Sequence, residues 1–304
     1  MRGLGRSWLL PAAVCVGLVV WAITSTSVRA QSAQAGQNIE ILLTGGHVID
    51  PRNGIDAVRD VAIADGRILR VAEGISPASD RRVVDVSGLY VTPGLIDMHA
   101  HVFHQEAARA IKPDAFTFRS GVTTVVDGGT SGWRNFPKLK EQTIDTSRTR
   151  VLAFLSIVGV GSSYPTQSRI ITQDVSDMNP ALTAYRIAEY PDVLVGVKVQ
   201  HYEGPDFVPV DRALEAATLA NVPVMVDFGE HDPPLSLERL LMEKLRPGDM
   251  LSHTYAELRL REAVVDPDGR VRPYVLAAQK KGIRFNVGHG GGSFVWRQVV
   301  RSME

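Results

Sequence analysis

The chain has 304 residues, of which 44% are hydrophobic and 22% are charged, and its mean hydropathy is zero. This composition excludes a disordered polyelectrolyte, a collagen-like repeat and a protein with many membrane spans. Lys and Arg together number 33, as do Asp and Glu, so no basic excess indicates a nucleic-acid partner. The length fits about two domains of ordinary size or a single α/β barrel.

Residues 1–30 have the pattern of a secretory signal peptide. Arg2 and Arg6 precede an apolar run at residues 8–24, and residues 28–30 approximate the small-residue cleavage site. A retained membrane anchor is the alternative, because a run of about seventeen apolar residues is at the lower limit for a span. Cleavage predicts an exported protein, periplasmic or secreted, with no stable membrane span.

Cleavage would also change the charge and the redox chemistry of the chain. Residues 1–30 contain three arginines and no acidic residue, so the remaining chain would carry a net charge of −3. The only cysteine, Cys15, would be removed with the signal peptide. The mature chain is therefore expected to have no disulfide and no thiolate nucleophile or metal ligand.

The segment at residues 31–92 is predicted to be a polar leader followed by a small antiparallel β-sandwich. Turn residues such as Gly45-Gly46 and Asp65-Gly66 separate short runs of β-forming residues. These runs lie at residues 39–44, 47–50, 61–64, 68–71 and 83–86.

From residue 93 to residue 304 the pattern changes to alternating strands and helices. Alternation of this kind indicates a parallel sheet with right-handed crossovers. Helices are predicted at residues 211–220 and 273–281, the second opening with Pro273, which suits a first helical position. Seven buried strands, one fewer than a complete (β/α)8 barrel has, are predicted at residues 95–99, 123–127, 151–158, 193–199, 223–228, 250–253 and 283–287.

The most specific local feature is His99-Ala100-His101 at the end of the first barrel strand. Side chains two residues apart on a strand point to the same face, so both imidazoles could bind one metal ion. The carboxyl end of the strands is also where barrel enzymes carry out their chemistry. The alternative is a pair of structural histidines hydrogen-bonded in a turn.

Several segments together resemble the amidohydrolase superfamily. Two segments carry this resemblance, Gly-His-Val-Ile-Asp at 46–50 and Val-Thr-Pro-Gly-Leu-Ile-Asp-Met-His-Ala-His at 91–101. The resemblance covers nearly everything from residue 38 onward, and it implies an α/β TIM barrel that hydrolyses amide or ester bonds with bound metal. A closer resemblance, to the amidohydrolase/deacetylase or dihydroorotase-like metallohydrolases, is carried by residues 121–127, 195–198, 246–249 and 288–294.

The resemblance implies two divalent metal ions, expected to be zinc, at the ends of the barrel strands. His99 and His101 would bind one ion. Lys198, at the end of the fourth barrel strand, would react with carbon dioxide, and the resulting carbamate would bridge the two ions. Taken by itself, a lysine at a strand end is more often a solvated charge.

The second ion is expected to be bound at the ends of the fifth and sixth strands. His253 matches the ligand that the resemblance implies on the sixth strand. On the fifth strand many superfamily members have a histidine, whereas this chain has Asp227. A carboxylate can bind zinc, and His231 on the loop that follows is the alternative ligand.

Other polar residues are expected near the mouth of the site. His289 follows the seventh strand in a run of glycines, where it could contact substrate, although a histidine in a turn is the alternative. His201 is expected to bind substrate, and His104 and Glu203 could line the site. His47 belongs to the first domain and is expected to be structural.

The resemblance also implies an aspartate after an eighth strand, which would bind the first metal ion and accept a proton from water. No residue before Glu304 can be given this role, so the sequence resembles a barrel truncated after strand 7. The full-length parent would be the active enzyme. An open barrel would expose the edges of its first and seventh strands.

Three functions are compatible with these observations. The first is an exported hydrolase of an acyl amide or ester, a deacetylase, acting on a small acylated substrate. The second is a cyclic amidase of the dihydroorotase or hydantoinase type, which would use the same metals. The third is an inactive paralogue that acts as a binding module. A homo-oligomer is compatible with each of them.

Overall fold

The structure is a computed structural model, and it describes residues 39–76, 82–162, 172–227, 229–290 and 293–304. The predicted signal peptide and Cys15 lie outside the described residues. The chain divides into two compact units between Pro93 and Gly94. Within the described ranges, no helix has both the length and the apolar character needed to cross a membrane.

The first unit is a five-stranded mixed sheet. Its strands are β1 (Ile41–Asp50), β2 (Ile55–Ala64), β3 (Arg67–Ala72), β4 (Arg82–Asp85) and β5 (Tyr90–Val91). The order is β3-β2-β1-β4, and β5 also pairs with β1. Leu42, Ala62 and Ile75 form the small buried core of this sheet.

Two predictions for the first unit are wrong. Gly45-Gly46, predicted as a turn, lies inside β1, where the register against β2 shifts between Leu43 and Gly46. This irregularity requires glycine, because Gly45 has a φ of +73° and a Cβ there would lie 2.3 Å from Oγ of Ser87. The sheet is also not wholly antiparallel, since β4 and β5 run parallel to β1.

The predicted turn at Asp65-Gly66 is confirmed. It joins the antiparallel strands β2 and β3, and both of its residues have positive φ, as a tight hairpin of this type requires. The second layer of the predicted sandwich stays a prediction.

The second unit contains one parallel sheet of seven strands, as the sequence predicts. Each strand pairs with the next along the chain, so the order in the sheet is the order in the sequence, and the first and last strands lie at its edges. The strands are β6 (Leu95–Ala100), β7 (Val122–Gly132), β8 (Arg150–Ser156), β9 (Leu194–Val199), β10 (Val224–Val226), β11 (Met250–Leu251) and β12 (Arg284–Phe285).

Helices lie between successive strands and after the last one. The α-helices are α1 (Pro113–Phe116), α2 (Phe136–Leu139), α3 (Pro180–Glu189), α4 (Val208–Ala220), α5 (Leu237–Arg239), α6 (Pro273–Lys281) and α7 (Trp296–Met303). Short 3-10 or π-helical turns lie at Phe118–Ser120, Lys140–Ile144, Val175–Asp177 and Leu240–Lys244. The predicted helix at residues 211–220 lies within α4, and α6 has the predicted bounds, with Pro273 in its first turn and Gly282 at its end.

The main core of the second unit lies between the sheet and the helices. Leu155, Val197 and Val226 of the central strands are buried against Ala213 and Ala217 of α4. Small side chains on this face of α4 let the helix approach the sheet closely. The opposite face of the sheet has a smaller buried cluster of Val126, Phe154, Met225 and Met250.

The edge strand β6 is less buried than the sequence predicts. Leu95, Ile96 and Met98 are 54%, 57% and 38% exposed. The reason is the position of the strand, because an edge strand has a neighbour on one side only.

Candidate functional site

Side chains from four parallel strands meet at the carboxyl end of the sheet. His99 and Lys198 lie near the ends of β6 and β9. Asp227 directly follows β10, and His253 lies two residues after the end of β11. Nε2 of His99 is 3.4 Å from Nζ of Lys198, and the ring centroids of His99 and His253 are 4.8 Å apart. Oδ2 of Asp227 is 3.3 Å from Nε2 of His253. These four residues therefore form one cluster, which we call the strand-end cluster.

The two histidines of the His-x-His motif lie side by side. Their ring centroids are 5.7 Å apart, with His101 placed just beyond the end of β6. The register of β6 against β7 shifts between Asp97 and Ala100, so His99 lies in an irregular part of the strand. Such irregularities change the direction of a side chain, and here His99 reaches the strand-end cluster.

Three glycines that the sequence analysis did not single out make room for the cluster. A Cβ on Gly128 would lie 2.6 Å from Cδ2 of His99, and one on Gly129 would lie 2.7 Å from Cγ of Lys198. A Cβ on Gly288 would lie 2.8 Å from Nδ1 of His253 and 2.9 Å from Nδ1 of His99. Two features of the sequence could have indicated these glycines: the Gly-Gly pair that directly follows the 121–127 segment, and the start of the glycine run at residue 288.

The imidazoles of His99 and His253 each direct Nδ1 toward a protein acceptor. Nδ1 of His99 is 3.1 Å from Oδ1 of Asn286 and 2.8 Å from Oγ of Ser252, and Nδ1 of His253 faces the carbonyl oxygen of Gly288. A ring nitrogen that faces an amide oxygen must donate, so the proton of each neutral ring lies on Nδ1. A neutral His99 therefore has its lone pair on Nε2, whereas Nε2 of His253 faces Oδ2 of Asp227 and needs a proton or a metal ion between the two atoms.

Burial lowers the pKa values of the basic groups in the cluster. Desolvation, followed by the charge of Lys198, lowers the pKa of His99 to about 2, and desolvation also lowers the pKa of His101. Desolvation lowers the pKa of Lys198 to about 8, while the charge of Asp227 opposes this shift and that of Arg261 adds to it. Neutral imidazole is the form of histidine that binds metal ions.

Asp227 is a buried carboxylate, 2% exposed, whose two oxygens have different partners. Oδ1 accepts a hydrogen bond from Nη1 of Arg261 at 3.2 Å, and Oδ2 is 3.1 Å from Nδ1 of His201. Burial alone would raise the pKa of Asp227, but His201 and His253 hold it well below its usual range. The carboxylate is therefore ionised, and only Oδ2 faces the other ligand-type residues.

The contact between Asp227 and His253 fits a bound cation. With its proton on Nδ1, a neutral His253 would point an Nε2 lone pair at Oδ2 of Asp227. Two such electron pairs repel each other unless a proton or a metal ion lies with them. Imidazole nitrogens and a carboxylate oxygen are the donors that zinc prefers in proteins.

The residues of the cluster fit a metal ion in the chemical type of their donor atoms. Among the residues that the structure describes, no group of three or more His, Cys, Asp or Glu side chains forms a ready-made ion site. Lys198 is not one of these residue types, and a metal site here would need it as a further donor.

Other predicted residues lie at different distances from the cluster. His201 reaches it through Asp227, while Nδ1 of His231 lies 2.9 Å from the carbonyl oxygen of Pro233. Of the two residues left open for the fifth strand, Asp227 is therefore the one that contacts His253. His289 is exposed beside Phe294. His104 contacts the carbonyl oxygen of Val102, and the backbone amide of Glu203 donates to the side chain of Gln173. His47 contacts the carboxylate of Asp56.

No family model matches the chain, but curated proteins and solved structures are similar to it. A deacetylase of Agrobacterium fabrum is 31% identical over 239 residues, which are 77% of this chain and 57% of the relative. A deacetylase of Enterococcus faecalis is 30% identical over 268 residues, which are 84% of this chain and 67% of the relative. Two solved structures are also similar. The structure of an adenine deaminase matches with a TM-score of 0.76 and 25% sequence identity, over 88% of this chain and 70% of the deaminase chain. The structure of a dihydroorotase matches with a TM-score of 0.74 and 29% sequence identity, over 86% of this chain and 69% of the dihydroorotase chain.

The parallel sheet with ligand-type side chains at its carboxyl end places the chain in the class of TIM-barrel proteins. Within that class, the chain belongs to the amidohydrolase superfamily. The resemblance carried by the motif at residues 91–101 and the later segments is thereby confirmed. The chain spans 57% of the Agrobacterium deacetylase and 67% of the Enterococcus one.

Proposed function

We propose that this chain contributes the metal centre of an amidohydrolase that removes an acyl group, such as acetyl, from an amide or ester. The observation that carries the proposal is the strand-end cluster, in which His99, Lys198, Asp227 and His253 meet from the ends of four different strands. The two deacetylases, 31% and 30% identical to the chain, support acyl removal as the reaction.

Two divalent ions, expected to be zinc, would be held by residues of the cluster and its surroundings. His99 and His101 would bind one ion, and His253 and Asp227 would bind the other. When bound, such ions polarise a scissile carbonyl group and lower the pKa of a water molecule.

Lys198 is proposed to join the two ions as a carbamate. Its neutral Nζ adds to the carbon of carbon dioxide and releases one proton, which gives an anionic group with two oxygen donors. The position of Lys198 supports this role, because the side chain is 1% exposed and Nζ lies 3.4 Å from Nε2 of His99. An ammonium group at this place would repel a metal ion.

His201 and His289 are proposed to contact substrate. His201 has a side chain that is 59% exposed, and it lies on the opposite side of Asp227 from Arg261, since each contacts a different carboxylate oxygen. His289 is exposed directly after Gly288, whose backbone contacts His253. Both side chains are therefore open to solvent close to buried residues of the cluster.

A cyclic amidase is the second candidate function. The similarity to a dihydroorotase structure supports it, and opening a cyclic amide would need the same metal ligands. The difference between the two reactions lies in the substrate pocket. A panel of N-acetyl amino acids, acetylated hydroxy acids and cyclic imides separates them.

The first test is the metal content of the purified chain by elemental analysis, with Lys198→Ala as the variant. We expect about two metal ions per chain in the wild type and a sharp fall in Lys198→Ala. Lys280→Ala, which changes an exposed lysine of α6, is the matched control and should bind metal as the wild type does. Little metal in the wild type contradicts the proposal, and full metal occupancy with no turnover favours a binding module.

We also propose that the protein is exported and cleaved after Ala30. The support is the sequence pattern of residues 1–30, with basic residues before an apolar run. N-terminal sequencing of the protein purified from its own cells should begin at Gln31. A mature protein that begins at Met1 or Arg2 contradicts the proposal.

A further inference from the structure

A buried chain of hydrogen bonds runs from Asp127 through Thr130 to His101. Asp127 and Thr130 are both 0% exposed. Oδ2 of Asp127 accepts hydrogen bonds from the Thr130 hydroxyl at 2.7 Å and from the Val102 amide at 2.9 Å. Oδ1 accepts from the amides of Thr130 and Gly129 at 2.6 and 3.1 Å. Four donors thus face one carboxylate, which acts here only as an acceptor.

The direction of each hydrogen bond in this chain follows from the chemistry of the groups. The Thr130 hydroxyl has one hydrogen, and it is donated to Asp127. The hydroxyl oxygen can then only accept from its other neighbour, Nδ1 of His101, which lies 2.8 Å away. His101 therefore carries its proton on Nδ1 and has its lone pair on Nε2, the state required of a ligand that binds through Nε2.

We propose that Thr130 is a positioning residue that fixes both the ring orientation and the protonated nitrogen of His101 for metal binding. This inference rests on the proposed metal centre. Asp127 is the fixed end of the chain, and its bond to the Val102 amide also holds the backbone directly after His101. Neither residue was assigned a function from the sequence.

Thr130 allows a sharper test than Asp127, because its hydroxyl can be removed with little change of shape. Thr130→Val replaces the hydroxyl by a methyl group and leaves the three backbone amides that bind Asp127 in place. Thr130→Ser keeps the hydroxyl. The neighbouring Ser131 is equally buried, and its Oγ has no hydrogen-bond partner in the part of the chain that the structure describes. Ser131→Ala is therefore a matched control that removes a buried hydroxyl without breaking this chain.

The experiment measures zinc affinity of the metal-free, full-length chain by competition with a chromophoric chelator. Thr130→Val should weaken the affinity by about 10- to 100-fold, as the loss of a group that orients a metal-binding histidine does. Thr130→Ser and Ser131→Ala should bind as the wild type does. Wild-type affinity in Thr130→Val overturns the inference alone, whereas a wild type that binds no zinc overturns the proposed function and this inference with it.

A second measurement is made on the wild type itself and needs a variant only to assign the signal. Long-range 15N–1H NMR spectra distinguish the two neutral forms of imidazole, and a His101→Gln spectrum identifies the His101 signal in the metal-free wild type. The inference predicts a proton on Nδ1 of His101. A proton on Nε2 overturns it.

Discussion

The buried pair of Arg261 and Asp227 allows a quantitative prediction about stability. The two side chains are 5% and 3% exposed, and Nη1 of Arg261 lies 3.2 Å from Oδ1 of Asp227. Arg261 also donates from Nη2 to the carbonyl oxygen of Ser252 at 2.9 Å, so it connects β10 to the segment after β11. Arg261→Met keeps much of the side-chain volume but leaves Asp227 buried without this partner.

The expected cost follows from the charge that remains. Removing one member of a buried ion pair typically costs about 3–5 kcal/mol, because the other charge stays buried without compensation. Asp227→Asn combined with Arg261→Met removes both charges, so the double variant should be more stable than the sum of the single changes by about 2 kcal/mol or more. The exposed pair of Arg301 and Glu304 provides the control, and Arg301→Met should cost less than about 1 kcal/mol.

The assay is urea unfolding of the metal-free proteins, followed by circular dichroism, at one pH and salt concentration. A cost below about 1 kcal/mol for Arg261→Met would show that the pair is not desolvated as described. Strict additivity of the two substitutions would refute the argument that the carboxylate and the guanidinium compensate each other.

Three further predictions concern other parts of the second unit. Gly128→Ala should displace His99, since the added Cβ would lie 2.6 Å from its ring, and elemental analysis should find less bound metal. The pKa of Asp114 is lowered, chiefly by the backbone amide of Arg148, so its contribution to stability is present above the unfolded pKa and is lost as the pH falls through the folded pKa. The melting temperature of Asp114→Asn should therefore lie below that of the wild type at pH 7 and approach it at acidic pH. Gln298→Ala should cost about 1–3 kcal/mol in urea unfolding, because buried Gln298 accepts the backbone amide of Val265 at 2.9 Å.

Each of these predictions has a contrary result. Undiminished metal in Gly128→Ala would mean that His99 can move without loss of the site. A difference between wild type and Asp114→Asn that stays constant with pH would exclude ionisation of Asp114 as its cause. A neutral effect of Gln298→Ala would mean that water satisfies the freed amide.

Periodicity predicted the parallel sheet because its strands are buried on both faces and read as continuous apolar runs. The runs at 151–158 and 193–199 correspond to β8 and β9, and their burial in the structure accounts for their composition. A continuous apolar run did not predict the burial of β6, because an apolar strand has the same composition at the edge of a sheet as at its centre. Burial of Leu95 and Ile96 was therefore predicted wrongly.

His99 and His101 could be predicted as candidate ligands because they stand at a strand end, whereas Lys198, Asp227 and His253 were expected only from the resemblance to the amidohydrolase superfamily. Their supporting residues could not. Arg261, which contacts Asp227, lies 34 positions further along the chain in a stretch without strand or helix periodicity. An arginine in such a stretch is expected to lie on the surface. Thr130 lies beyond the 121–127 segment, and a threonine gives no sign in the sequence that its hydroxyl will contact a histidine.

The contact between His99 and Asn286 has a consequence for folding. These residues are 187 positions apart, so the hydrogen bond between them closes only when the first and last strands of the sheet have both docked. Contacts of such long range form late and slow the folding rate. Partly folded chains would lack the complete cluster, and an ion that binds only the native state stabilises it by about 2.7 kcal/mol at a free concentration 100 times its dissociation constant. Metal supply would then determine how much of the newly made chain persists in the native state and escapes proteolysis.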